Sequence, residues 1–366
     1  MLKTASTALL LIAACAIPIS ATAQKNHKSG KTRTAATARS ATANDGTPYA
    51  TRADALQFAD DLAGRRDLDR EWVRQAIGQA RFLPQVPRLM LPPAKGTAKN
   101  WRVYRSRFID PVRIRAGLRF WQDNAETLAR AEREFGVPAE IIVGIIGVET
   151  IYGQQMGNFR VMDALATLAF DFPAAHPRAA ERTEFFRREL EQFLSLTHRT
   201  NVDPFEPRGS YAGAMGLGQF MPSSWVRYAI DFDGDGRVDL FNSPADAIGS
   251  VANYFIAHGW KPGMPTHYSV QFDPDPARVQ LDELLAPDIL PSFSAASMQA
   301  KGAVLDAAGA QHAGPLALVE LQNGDEAPSY VAGTENFYAI TRYNWSSYYA
   351  MAVIELGREV AAARAR

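Results

Sequence analysis

Apolar positions recur along this chain mostly at helical spacing, and the places where that spacing breaks divide it into segments. Residues 54–82 carry the helical period, which Pro84, Pro87, Pro92 and Pro93 interrupt, predicting an extended connection. Ile114, Leu118, Trp121, Ala125 and Leu128 then fall at alternating steps of four and three, a single apolar stripe along one helix that Gly136 ends. Pro138 opens another helix at its first turn. The eight residues 141–148 are all apolar or Gly, so this helix belongs at the centre of a core. Residues 164–170, 182–196 and 247–258 are helical by the same test, whereas 316–321 and 338–342 read as extended, with Asn323 and Gly324 supplying a turn. The expected fold is mainly α (α+β overall): a helical core, a helical region before it and a small β-containing insertion.

Composition adds bounds to this picture. A chain of 366 residues with 47% hydrophobic content can fill a sizeable core. Its 39 basic residues balance 39 acidic ones, so no overall field favours nucleic acid or an anionic membrane, and no nucleic-acid motif is present. At the N-terminus, Lys3, an apolar run over 8–19 and the small residues Ala21, Thr22 and Ala23 form an export signal. The run is shorter than the roughly 20 residues that a membrane span needs. Cys15, the only cysteine, lies inside it. Cleavage after Ala23 gives a soluble periplasmic protein, while Ile12, Ala13, Ala14 and Cys15 loosely fit a lipoprotein box that would anchor the chain in the outer membrane through a lipidated Cys15. The expected organisation is a signal peptide at 1–23, a disordered basic linker at 24–50 and an N-terminal helical region at 51–120. A core with a cation loop at 121–265, the insertion at 266–335 and a return to the core at 336–366 follow. No sustained heptad is visible, so the expected state is a monomer.

Glu149 stands at the end of the buried helix, after the apolar run and before Thr150, Ile151, Tyr152 and Gly153. A carboxylate there is poorly hydrated, and both desolvation and the helix C-terminus disfavour its charged form, which is what a proton donor near neutral pH requires. From this segment alone, an outward-facing or Arg-paired Glu149 is an equal reading. A second segment, residues 209–224 (GSYAGAMGLGQFMPSS), tips the balance. Four glycines between Gly209 and Gly218 let backbone approach a ligand, while Ser210, Tyr211 and Gln219 supply polar or stacking groups.

These residues resemble the lytic murein transglycosylase B family, which has a lysozyme-like helical fold. VGIIGVET around Glu149, DALATL from Asp163, AGAMGLGQFMPSS, DAIGSVANYF from Asp246 and TRYN from Thr341 carry the resemblance, which covers nearly everything after the linker. It implies cleavage of the β-1,4 bond between N-acetylmuramic acid and N-acetylglucosamine in peptidoglycan glycan strands, leaving 1,6-anhydromuramic ends. No organic cofactor is implied. Glu149 matches the single acid, which then acts as base, and Ser210 the residue that orients the substrate N-acetyl group. Gln219, Tyr254, Tyr343, Asn344 and Tyr349 match further cleft positions, and Tyr104 one contributed from before the core. Tyr254, at helical spacing from Val251 and His258, reads equally as core packing; Tyr348 and Tyr349 are similarly ambiguous. The family often has Trp where this chain has Tyr152, which weakens the expectation of sugar stacking there.

Residues 231–236 (DFDGDG) set Asp231, Asp233 and Asp235 in alternation with Gly236 at the sixth place, as in the first half of a calcium loop, and Arg237 at the seventh would serve through its carbonyl. Position twelve is Asn242 rather than a bidentate Glu, so Asp246 is the expected closing ligand, by resemblance, with Asp239 a further candidate. The expected ion is structural Ca²⁺; an Asp/Gly-rich turn is the plain alternative. Two other functions stay open on the sequence: a muramidase that uses water, for which Asp163 or Asp171 would be the second carboxylate, and a non-catalytic peptidoglycan-binding protein.

Overall fold

The computed structural model describes residues 46–92 and 99–365. The signal segment, Cys15 and most of the linker therefore lie outside the described residues. Among those described, the helices in chain order are α1 (Ala53–Arg66), α2 (Arg70–Gln79), α3 (Gln85–Leu89), α4 (Trp101–Ser106), α5 (Pro111–Asp123), α6 (Ala125–Phe135), α7 (Ala139–Thr150) and α8 (Val161–Phe170). They continue as α9 (Ala179–Thr200), α10 (Pro222–Tyr228), α11 (Pro244–Ala257), α12 (Leu281–Leu285), α13 (Ala295–Ala300), α14 (Glu335–Thr341) and α15 (Ser347–Arg364). The strands are β1 (Phe159–Arg160), β2 (Arg208–Gly209), β3 (His267–Phe272), β4 (Ala303–Leu305), β5 (Ala317–Asn323) and β6 (Glu326–Gly333). The fold is mainly helical with small antiparallel sheets.

The chain divides into two compact units. The smaller, 46–91 with 162–205 among the described residues, packs α1 on α2. Tyr49 is buried in it and donates to Asp171 at 2.6 Å, and Arg52 pairs with the same carboxylate at 2.6 Å. Ordered structure thus begins before residue 50, where the basic linker was expected to end. The Arg81 amide donates to Asp163 at 3.0 Å and the Leu83 amide to Thr167 at 3.0 Å. The proline-rich stretch that was expected to be extended contains α3, because Pro87 sits in its first turn, where a missing N–H breaks no helical bond.

The larger unit holds α7 at its centre, buried at every position from Ile141 to Val148. Helix α15 packs along it at very close range: a Cβ on Gly144 would lie 2.2 Å from the Val353 carbonyl, and one on Gly357 2.0 Å from that of Glu140. Only glycine allows this approach. The stripe expected as one helix is two, α5 and α6, which meet at Asn124, where the backbone leaves helical geometry and both the main-chain N–H and the side-chain amide donate to the Phe120 carbonyl, at 3.1 and 2.8 Å. Pro138 is the cap residue before α7 rather than part of its first turn. The stretch 338–342 is likewise helical, not extended. Its aromatic and β-branched residues mimic a strand, but the Thr334 hydroxyl accepts from the Asn336 amide at 3.1 Å and starts α14.

Strands β4, β3, β6 and β5 form an antiparallel sheet in that order. Alternation on β5 sends Ala317, Val319 and Leu321 to the main core and Leu318 to a satellite core with Leu284, Met298 and Ala332. The sheet is thereby fused to the helical core rather than tethered beside it.

Candidate active site and cation loop

The apolar run of α7 delivers Glu149 to the helix end with no polar neighbour of its own, and the turn that follows is unusual. Ile151 and Tyr152 have φ of 50° and 55°, the left-handed region that β-branched and bulky residues avoid. Thr150 holds this turn: its hydroxyl donates to the Leu217 carbonyl at 2.9 Å and accepts from the Gly153 amide at 3.0 Å. The end of α7 is thus tied to the glycine-rich loop.

Glu149 keeps an opening to solvent, yet the atoms packed around it lift its pKa to about 7 by desolvation, against a smaller opposing effect from the Tyr349 hydroxyl. That hydroxyl, at the start of α15, donates to Oε1 at 2.5 Å, and Ser346 caps the helix at the Tyr349 amide at 3.3 Å. Tyr343 stacks on Tyr349, with ring centroids 6.4 Å apart and planes 14° from parallel, and donates its hydroxyl to the Gly218 carbonyl. Burial and the Glu149 charge push both phenols well above their usual pKa, and push Tyr104 up to about 12. The structure therefore gathers Glu149, Tyr349, Tyr343 and Tyr104. All three phenols stay protonated and can donate hydrogen bonds.

Tyr254 stands behind them. Its hydroxyl is spent on the Arg342 carbonyl at 2.6 Å, and its ring lies 4.7 Å from that of Tyr343 and 3.9 Å from that of His258. It buttresses Tyr343. Gln219, at φ 52°, gives both amide protons to backbone, to Gly216 at 3.0 Å and Met156 at 3.1 Å, which leaves its carbonyl oxygen for a ligand. Ser210 Oγ accepts from the amides of Ala214 at 3.0 Å and Ala212 at 3.3 Å, so what it has left to offer is its O–H. Its loop is pressed against Gly157, where φ is 90° and a Cβ would lie 2.2 Å from the Gly209 carbonyl. Asn344 follows α14, and its side chain makes no hydrogen bond among the described residues.

Tyr152 turns inward. Its ring packs on Phe120 at 5.2 Å, and its buried hydroxyl finds no hydrogen-bond partner among the described residues, seated over the two glycines Gly117 and Gly147. Thr150 and the left-handed turn have no sequence signature that singles them out.

In the cation loop, Asp231, Asp233 and Asp246 place carboxylate oxygens within 4.8 Å of one another. Asp246, 1% exposed, accepts from the Phe232 amide at 2.8 Å and the Asp239 amide at 2.7 Å, while burial and the charge of Asp233 raise its pKa. Asp235 does not join them. It accepts from the Arg237 amide at 2.8 Å and faces the Arg237 guanidinium, and Asp239 caps the turn at Phe241 and Asn242. Three carboxylates converging on one point, one of them buried, repel unless a cation joins them, so the group fits a metal ion.

The sequence profile of the Transglycosylase SLT domain matches residues 50–358. The chain is 39% identical over 340 residues to the Escherichia coli K12 protein named membrane-bound lytic murein transglycosylase B, covering 87% of this chain and 86% of that one. It belongs to the lytic murein transglycosylase B family. Among solved structures, the Escherichia coli lytic transglycosylase Slt35 in complex with calcium superposes with a TM-score of 0.75 at 40% identity, covering 88% of this chain and 97% of that one. A more distant family member, SltB3 from Pseudomonas aeruginosa, was solved with NAG-NAM-pentapeptide and matches at 29% identity with a TM-score of 0.66, over 82% and 78% of the two chains. One relative is thus named as membrane-bound; in this chain no helix among the described residues is long and apolar enough to cross a membrane.

Proposed function

We propose that this chain is an exported lytic transglycosylase that cuts the β-1,4 bond between N-acetylmuramic acid and N-acetylglucosamine in peptidoglycan without water, with Glu149 as its one catalytic carboxyl group. The observation that carries this is the state of Glu149: a carboxyl lifted to about 7, held on one oxygen by Tyr349 and left with the other for substrate. Protonated Glu149 donates to the leaving glycosidic oxygen as the C1–O bond breaks. The resulting carboxylate takes the proton of the muramic C6 hydroxyl as that oxygen closes on C1, and the enzyme returns to its starting state. Ser210 donates its O–H to the substrate acetamido carbonyl, which stabilises the cation at C1, while Gln219 and Asn344 bind sugar polar groups and Tyr104 and Tyr343 line the cleft.

Among the described residues, desolvation and the Tyr349 hydroxyl set the ionisation of Glu149, with no second carboxylate among the causes. Asp163 and Asp171, the sequence candidates for a hydrolase's second group, are engaged in the smaller unit with Arg81 and with Arg52 and Tyr49. This supports anhydro ring closure over attack by water. Asp231, Asp233 and Asp246 are assigned to a structural Ca²⁺ with no part in the chemistry, in keeping with the calcium complex of Slt35. Soluble periplasmic protein after cleavage at Ala23 is the preferred destination; lipidation at Cys15 is the alternative, in keeping with the membrane-bound relative.

The test is mass spectrometry of sugars released from peptidoglycan by wild type and Glu149→Gln. Anhydromuramyl products from wild type alone are expected. Reducing muramyl ends would replace this reading with a hydrolase, and no products with a binding protein.

A further inference from the structure

The short ladder that leads into Ser210 pairs Arg160 of β1 directly with Arg208 of β2. The Val161 amide donates to the Pro207 carbonyl at 3.0 Å, and Phe159 faces Gly209 on the other side, so Arg160 and Arg208 occupy the non-hydrogen-bonded pair between them. There, opposite side chains leave the sheet on one face and at closest range, with Cα atoms about 4.5 Å apart. Like charges placed so are unfavourable for the ladder. Arg160 is half-buried and engaged within the fold, whereas Arg208 is exposed and makes no ion pair among the described residues. Arg208 stands two residues before Ser210, which directly follows β2. Gly157, pressed on the Gly209 carbonyl, fixes the ladder against the Ser210 loop.

We propose that Arg208, with Arg160 beside it, forms an anion subsite that binds a carboxylate on the muramic-acid side of the substrate. This rests on the transglycosylase reading and deepens it. Muramic acid carries its acidic chemistry on the lactyl group next to the acetamido group that Ser210 is assigned to orient, either as a free lactyl carboxylate or as the carboxylates of an attached stem peptide. Paired guanidinium groups suit such a ligand because each offers several N–H donors in a planar fork.

The test is equilibrium binding of three uncleavable anhydro-disaccharides to the full protein at low salt: one with a stem peptide, one with a free lactyl carboxylate and one with a neutral lactyl carboxamide. Arg208→Ala is expected to weaken an acidic ligand about tenfold, the loss of one charge-assisted hydrogen bond. It leaves the carboxamide unchanged, and Arg208→Lys, which keeps the charge but not the planar fork, retains only part of the affinity for the acidic ligands. Loss for the peptide ligand alone assigns the stem carboxylates, and loss for the free acid alone assigns the lactyl group. Equal loss on all three ligands, or no loss on any, overturns the proposal. Failure of the transglycosylase reading looks different, because wild type would then release no anhydro ends from peptidoglycan, whatever Arg208→Ala does to binding.

Discussion

Replacing Glu149 by Gln removes activity under the proposed mechanism, but its effect on stability tests the physical cause more directly. Glu149 titrates near 7 in the fold against 4.5 for an ordinary Glu. Between those values the folded chain binds a proton that the unfolded chain has lost, so stability falls as pH rises from 4.5 through 7 and stays low above it. A displacement of about 2.5 units corresponds to about 3 kcal/mol at 1.36 kcal/mol per unit. Glutamine keeps the shape and can still accept from Tyr349 without ever becoming charged. The variant should therefore match wild type in Tm near pH 4.5 and exceed it by roughly 5 °C at pH 8.5, given the low sensitivity of Tm to free energy in a chain this large. Calorimetry at four or five pH values measures the difference, and its slope with pH carries the information. A difference that stays at zero from pH 4.5 to 8.5 would refute the desolvated acid, and with it the ground for general acid catalysis at Glu149.

Tyr349→Phe removes the one hydrogen bond that lowers the pKa of Glu149, so the alkaline limb of the pH–activity profile should move to higher pH while kcat drops about tenfold from lost positioning; a limb that moves to lower pH contradicts the geometry. Tyr152→Phe, by contrast, deletes a buried hydroxyl with no partner among the described residues, whose burial costs about 1–3 kcal/mol. Thermal melting should show an unchanged or raised Tm, and a clear loss would mean that the hydroxyl is bonded in solution. Calcium at 100 times its Kd should stabilise the fold by about 2.7 kcal/mol, and the rise in Tm should vanish in Asp233→Asn while residual activity at low temperature persists.

Much of this was legible in the residues. The uninterrupted run 141–148 could only be a buried helix, and a carboxylate at its end is rare enough to be noticed. Alternating aspartates drew attention to the cation loop in the same way. What could not be read was contact between distant segments. The Tyr349 hydroxyl meets a residue 200 positions earlier, and only the packing of two glycine-notched helices brings them together. Composition misled where local backbone geometry overrode it: residues 338–342 have a strand's side chains and a helix's cap, and the apolar stripe through Trp121 runs unbroken across the helix break at Asn124. The left-handed Ile151 and Tyr152 lie beyond any propensity argument, because those residue types are among the least expected there.

The seating of α15 along α7 also makes the surroundings of Glu149 depend on the C-terminal end of the chain. Ribosomes make the acid early and its phenol partner late, so a nascent chain that has emerged only as far as the β5–β6 hairpin carries Glu149 with neither Tyr343 nor Tyr349 beside it. Half of the central helix pair is missing too, and Gly144 lacks the Val353 carbonyl that it packs against. A partly made or C-terminally clipped chain therefore holds the carboxyl group proposed for catalysis without the packing that surrounds it in the whole fold.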